Sequence, residues 1–465
     1  MFRERLKIFY NMGLILVMVK GLSFLKMYLI GKYYGFTQEI DYFFFFSGIV
    51  LSIFYFYDSV LQAAFIPEYK RFKKGSRSYP YTFIFLFLMF NLLIASGIVF
   101  SSVIDVHGEL IEFSIIFFML SSVIFKVILE AEGHFVKNIL VDLISVLIFL
   151  FLLIKGKTIL KVLFVSEAVR FGAKLLLNSK YFTTNNNFRI EGFKNFFKQA
   201  WFITLGAFFS NAIIFFDNVM AAKLFAGPSI LSYAMMFPGA AIAFINALLS
   251  GVNLNVMSEL IRKHRLRDAG RWLKTVIYRT IKPAIFFAMF FTIFSREVMN
   301  TFFHSNKDLF AAEITNTWHI MSLAAWHIPI FLILINLIRF YNSREKNQEL
   351  AIVAFFNLMM HIAIVKLLLN DLGLISILFA RVFCDSFSTF ILWYRMREFK
   401  VEKAIPVRFL LHSLIAGLSS GSIKYFLLRS SVSDINIMIS GIVLFGIYYL
   451  MITGKEHVRI FRKNI

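Results

Sequence analysis

Long apolar stretches follow one another from one end of this chain to the other. A helix that crosses a bilayer needs about 20 mostly apolar residues. Fourteen such stretches can be read, near 10–32, 40–66, 80–104, 110–130, 138–155, 158–177, 199–222, 229–254, 283–303, 315–339, 349–369, 372–395, 407–428 and 435–453. In hydrocarbon every backbone N–H and C=O must find a partner, and a helix supplies all of them within one segment. The chain is therefore expected to be an all-α polytopic membrane protein of about 14 transmembrane helices. These spans use most of the 465 residues, so no sizeable soluble domain is expected on either side. Composition excludes a single water-soluble globule, because only 16% of the residues are charged against about 25% in soluble domains. Disorder is excluded by the 59% hydrophobic content. The first stretch is too long for the apolar region of a signal peptide and holds Lys20 and Lys26. A lone cysteine, Cys384, leaves no intrachain disulfide to form.

The 49 Lys and Arg residues outnumber the 27 Asp and Glu residues, a net charge of +22. The excess follows the membrane topology. Basic residues gather at Arg3, Arg5 and Lys7, at Lys70 to Arg77, at Lys180 to Lys198, at Arg262 to Lys274, at Arg344 and Lys346, at Arg395 to Lys403 and at Lys455 to Lys463. With fourteen spans all of these fall on one side. The opposite loops are poor in base, as in Asp105-Val-His-Gly-Glu109. Lys/Arg bias marks the cytoplasmic side, so both termini are expected in the cytoplasm of a multi-pass protein of the bacterial cytoplasmic (inner) membrane. Anionic membrane lipids are the counter-charge. Nucleic-acid binding is not expected, since the basic residues are scattered without a reading motif.

A short repeat links two distant parts of the chain. Gly31-Lys-Tyr-Tyr-Gly-Phe-Thr-Gln-Glu-Ile-Asp-Tyr-Phe43 aligns with Ala222-Lys-Leu-Phe-Ala-Gly-Pro-Ser-Ile-Leu-Ser-Tyr-Ala234, so that Lys32 falls on Lys223 and Tyr42 on Tyr233. The copies lie six spans apart and run in the same direction, the pattern of parallel repeats in transporters. Shared turn chemistry at the membrane surface would give the same match. The domain reading is a six-helix half over 1–178, a second over 179–398, and two further helices with a basic tail over 399–465.

Polar side chains at membrane depth are the most informative, because a central Lys, Arg or Asp costs about 2.5–3.5 kcal/mol to insert. Lys20 and Lys26 in span one are about 120° apart at 100° per residue, too far for one narrow stripe. Asp41 opens span two and Asp58 lies near its cytoplasmic end. Asp217 precedes Asn218 in span seven. Asn357 with His361, and Arg381 with Asp385, are spaced i, i+4 and share a helix face. Snorkelling competes as the explanation of Lys26 and Asp58, and internal pairing as that of Arg381 and Asp385.

Several patches resemble the MurJ family of lipid II flippases, within the multidrug/oligosaccharidyl-lipid/polysaccharide exporter (MOP) superfamily. Leu29-Ile-Gly-Lys-Tyr-Tyr-Gly35 followed by Asp41-Tyr-Phe-Phe44 is similar to "L-I-A-R-x-F-G … D-A-F-F", and Gln62-Ala-Ala-Phe-Ile-Pro-Glu-Tyr69 to "Q-A-F-V-P-x-x-x-E-Y". Asp217-Asn-Val-Met-Ala-Ala222 resembles the span-seven "D-x-x-x-A", and Phe237-Pro238 the "F-P" of span eight. The resemblance implies cavity cations at Lys20 and Lys26, an aspartate at Asp41, and sodium-site positions at Asp217 and Asn357. The chain departs from it in three ways: Ile53 and Phe54 stand where the family has an arginine pair, no base precedes Phe237-Pro238, and His361 replaces an acid. Histidine at that place suits a proton better than sodium.

The expected activity is a non-enzymatic flippase for a polyprenyl-pyrophosphate-linked saccharide, lipid II first. Lys20, Lys26, Asp41, Lys32 and Lys223 are the substrate-binding candidates, and Asp217, Asn357 and His361 the ion-coupling ones. No cofactor or metal is expected beyond a coupling sodium ion or proton, and the protein is expected to act as a monomer. The alternatives are a Wzx-type flippase for an O-antigen or capsule unit, a MATE-like exporter, and a membrane glycosyltransferase or ligase using a polyprenyl donor. Span-one lysines argue against a cation exporter, and the longest exterior loop, Ser295 to Glu313, is short for such an enzyme. A scaffold packing through Gly417-Leu-Ser-Ser-Gly421 is a further alternative.

Overall fold

The computed structural model describes residues 2–62, 79–99, 109–179, 182–183, 190–304, 308–396, 424 and 433–443. They form helices α1 (Phe2–Tyr34), α2 (Gln38–Val60), α3 (Tyr81–Val99), α4 (Glu109–Ala131), α5 (Phe135–Ile154), α6 (Ile159–Asn178), α7 (Ile190–Ala221), α8 (Gly227–Arg262), α9 (Leu266–Phe302), α10 (Ala311–Ala324), α11 (His327–Ser343), α12 (Asn347–Leu372), α13 (Leu374–Arg395) and α14 (Asp434–Val443). The protein is an all-α, multi-pass membrane protein. Among the described residues eight helices are each long and apolar enough to cross a bilayer, and α10 with α11 makes a ninth span bent by 42°. Span thirteen with its Gly417-to-Gly421 motif, the segment 63–69, the basic loop at 70–77 and the basic tail lie outside the described residues, except for Lys424.

The chain divides into two compact units. One comprises Met1–Ile30, Gln38–Met220 and Asn347–Leu358, the other Gly31–Thr37, Ala221–Lys346 and Met359–Ile465. In the first unit α4 packs on α6, α3 and α2, and α5 on α6. In the second α9 packs on α8, α10 and α11, and α11 on α13. A two-residue parallel pair, Tyr79–Pro80 with Phe182–Thr183, joins two of the basic loops.

Helix ends follow local chemistry. Gly133 and Gly156 have φ of +80° and +70°, and past each the chain closes with a bond back five residues, His134 N–H to the Leu129 carbonyl and Lys157 N–H to the Leu152 carbonyl. This left-handed closure is the usual glycine helix stop. The bend in span ten has an identifiable cause. Pro329 has no N–H to give to the Ala325 carbonyl four residues before it, and its ring crowds that carbonyl. Helix α10 therefore stops at Ala324 and α11 restarts at His327. Helix α9 runs on to Phe302, so the exterior loop expected from Ser295 to Glu313 is much shorter. That span was read too short because the first part of α9 is amphipathic, with Arg267, Arg271, Lys274 and Arg279 among apolar residues.

A close approach fixes α2 against α7. Any Cβ at Gly48 would overlap the carboxamide of Asn218, whose Nδ2 already donates to the Ile214 carbonyl at 2.7 Å. Gly48→Ala is expected to cost about 1–3 kcal/mol, the usual range for overpacking, and the double variant with Asn218→Ala to recover most of it. Thermal unfolding of the purified protein checks this; an unchanged midpoint for Gly48→Ala would mean that these helices do not meet at Gly48.

Candidate functional site

In the first unit eight charged side chains, drawn from five helices, gather into one group. On α6, Glu167, Arg170 and Lys174 are spaced three and four residues apart, so they share one face. On α4, Lys126 and Glu130 are one turn apart, and on α5 so are Asn138 and Asp142. Helix packing brings these faces together. Arg170 pairs with Glu167 at 2.8 Å and reaches Asp142 at 3.4 Å. Lys174, itself buried, binds the same Asp142 at 2.9 Å. Glu130 accepts from Asn138 at 3.1 Å. At the end of α2, Asp58 takes both of its carboxylate oxygens to the Lys126 amine, at 2.9 and 2.7 Å, and accepts from Gln62 at 3.2 Å.

Lys26 of α1 belongs to this group. Its ammonium lies 3.8 Å from the centroid of the Phe149 ring of α5, a cation–π distance. Glu167 and Arg170 are the charges that act on it. The group thus sets four cations, Lys26, Lys126, Arg170 and Lys174, against four carboxylates, Asp58, Glu130, Asp142 and Glu167. A balanced set is what a low-dielectric interior tolerates, since an isolated charge there costs several kcal/mol.

The other sequence candidates fall in different settings. Lys20 is exposed on α1, and Lys32 and Lys223 are exposed at helix ends. Asp41 is half-buried in the first turn of α2, beside Tyr42, whose hydroxyl donates to the fully buried Glu112 at 2.6 Å. Asp217 is fully buried on α7, and Asn357 and His361 are buried one turn apart on α12. Asp385 meets His327 of α11 at 2.7 Å, a partner the sequence spacing did not offer.

Known folds give a clear comparison. Over 96% of this chain and 99% of the other, the structure superposes on "Lipid II flippase MurJ, inward closed conformation" with a TM-score of 0.72 at 15% identity. It matches an inward-facing MATE family multidrug resistance transporter of the MOP superfamily with a TM-score of 0.61, at 12% identity over 84% of this chain and 99% of that one. It also matches a MOP superfamily transporter from Pyrococcus furiosus Vc1 with a TM-score of 0.56, at 13% identity over 85% of this chain and 96% of that one. This chain shares the fold of these transporters. No family model matches the sequence, and no curated protein does.

Within this fold, sequence reasoning found Lys26 and Asp58 but missed Lys126, Glu130, Asp142, Glu167, Arg170 and Lys174. Their signal was present: Glu167-Ala-Val-Arg170-Phe-Gly-Ala-Lys174 puts three charges on one face of an apolar stretch. A helix with four charges in 20 residues, counting Lys161, is expected to bury them against partners.

Proposed function

We propose that this protein moves a polyprenyl-pyrophosphate-linked saccharide, lipid II first among candidates, from the cytoplasmic to the outer leaflet of a bacterial inner membrane. The observation that carries this reading is the cluster of four cations brought together by helix packing in the first unit, with Lys26 at its edge. The problem such a protein solves is physical. A sugar head group and its pyrophosphate cannot cross hydrocarbon, where unsatisfied polar groups cost several kcal/mol each. Lysine is a proper phosphate partner, acting as a point charge rather than a fork. In this reading Lys26 receives the pyrophosphate and Lys20 attracts it. Asp41 orders the lysines or meets sugar hydroxyls, while Lys32 and Lys223 contact the head group near the outer surface. The lipid tail stays in the bilayer, and the site is exposed to each side in turn.

Asp217, Asn357 and His361 are proposed to sense the coupling ion, sodium or a proton. Likeness in fold to a protein described as a lipid II flippase supports the substrate class. A MATE-like cation exporter is disfavoured, since every carboxylate in the cluster is matched by a base. The working unit is proposed to be one chain in contact with membrane lipid. Complementation of a strain with a conditional lipid II flippase tests the substrate. Growth is expected on expression of this chain; failure despite normal abundance would move the assignment to a Wzx-type O-antigen or capsule unit.

A further inference from the structure

A second ionisable pair sits in the other unit, apart from the residues assigned to transport above. His327 opens α11 and Asp385 lies on α13, and His327 Nε2 is 2.7 Å from Asp385 Oδ2. The two side chains are 8% and 16% exposed. His327 lies sixteen residues from Ala311 and sixteen from Ser343, the ends of the bent span. Asp385 lies eleven residues from Leu374 and ten from Arg395, the ends of α13. Both are therefore near the middle of their membrane spans. His327 also stands at the 42° break between α10 and α11, and Nδ1 of its ring is buried with no hydrogen-bond partner among the described residues.

Three physical arguments converge on this place. An ionisable side chain at the bilayer centre is costly and is kept where it works. Broken helices at the midplane are where transporters hold their coupling ions. Imidazole is the side chain whose ordinary titration lies nearest neutral pH.

We propose that His327 and Asp385 form a proton-coupling site, in which the imidazole takes a proton from one side of the membrane and releases it to the other. With His327 neutral the pair carries one net negative charge; with the imidazolium it carries none. No bond other than the N–H forms or breaks. The change alters what holds α11 to α13, and the 42° bend beside His327 gives it a place at which to act.

Other charges on the neighbouring helices leave this reading intact. Arg381 lies one turn before Asp385 on the same face of α13 and adds a fixed positive charge. On α9, Lys282 lies over Tyr278, Glu297 pairs with Lys424, and Arg296 is exposed. On α10, Glu313 and His319 lie fourteen and eight residues before His327. Helix α8 carries no acidic or basic side chain before Glu259.

The coupling role rests on the transport reading, but the proton site is testable without any substrate. Purified protein in lipid nanodiscs is titrated from about pH 8 to about pH 5, the histidine range, and followed by infrared difference spectroscopy. A coupled imidazole and carboxylate signal is expected in the wild type and is expected to vanish in both His327→Gln and Asp385→Asn. The second variant keeps the size of the side chain and guards against a folding artefact in the first. The same proteins in proteoliposomes are then assayed for flipping of fluorescent lipid II under an imposed pH gradient. Stimulation of up to about tenfold per pH unit is expected in the wild type, the ceiling for one proton per cycle, with none in His327→Gln. An infrared titration that survives both substitutions, or a gradient effect as large in His327→Gln as in the wild type, overturns the proposal. If the wild type moves no lipid II, the substrate assignment fails while the infrared result still decides the proton site.

Discussion

Lys26→Met is expected to lower flipping about 30-fold or more while leaving the protein as abundant in the membrane as the wild type. Methionine keeps an unbranched stem against Phe149 and removes only the charge, so packing and electrostatics are separated. Losing one charged partner from a desolvated ion pair costs about 2–5 kcal/mol of binding, and the low end of that range already gives about 30-fold. Stability should move the other way or not at all. A half-buried ammonium is expensive to hold, and replacing it with an apolar group of similar shape is often neutral or better. Lost activity with kept or raised stability marks a charge retained for function rather than for folding. Lys26→Arg keeps the charge and should retain activity to within about tenfold, since a fork differs from a point charge in geometry but not in sign. Flipping in proteoliposomes, read beside membrane abundance by immunoblot, separates these outcomes. Wild-type flipping by Lys26→Met would remove Lys26 from the substrate path.

The fold was far more legible than the site. Apolar length is a strong signal because the bilayer sets it, and helices were found at all of the first twelve expected spans. Even α6 was found despite Lys161, Glu167, Arg170 and Lys174, since its apolar residues outweigh them. What the one-dimensional pattern lacks is which helix faces which. Asp385 was paired by spacing with Arg381 on its own helix, and the partner that packing adds is His327, 58 positions away. Asp58 was weighed as a snorkelling residue near an interface, yet it sits against Lys126, 68 positions on. The break at His327 was legible in principle from Pro329. Helices α8 and α9, however, carry Pro238 and Pro283 without breaking, so proline alone did not say where a span would part.

The Asp58–Lys126 contact carries the second large expectation. Asp58→Leu alone should lower stability by about 3–5 kcal/mol, because it leaves the Lys126 amine buried beside Glu130 without its bidentate partner. Lys126→Leu alone should do comparable harm by stranding Asp58, which would keep only the weak donor Gln62. The double variant Asp58→Leu/Lys126→Leu removes both charges at once and should regain most of the loss, since apolar replacement of a whole buried pair is often neutral. A favourable coupling at least as large as one single cost, about 3–5 kcal/mol, is therefore expected from the cycle. Denaturant or thermal unfolding of the purified variants measures it. Additive single effects would show that the two groups do not meet. The cluster also sets what the double variant does to transport. Deleting this pair leaves Lys26, Arg170 and Lys174 against Glu130, Asp142 and Glu167, so the charge balance around Lys26 persists. A stable double variant that still flips would place Asp58 and Lys126 in the framework of the first unit. One that is stable but inactive would extend the substrate path from Lys26 across to α2 and α4.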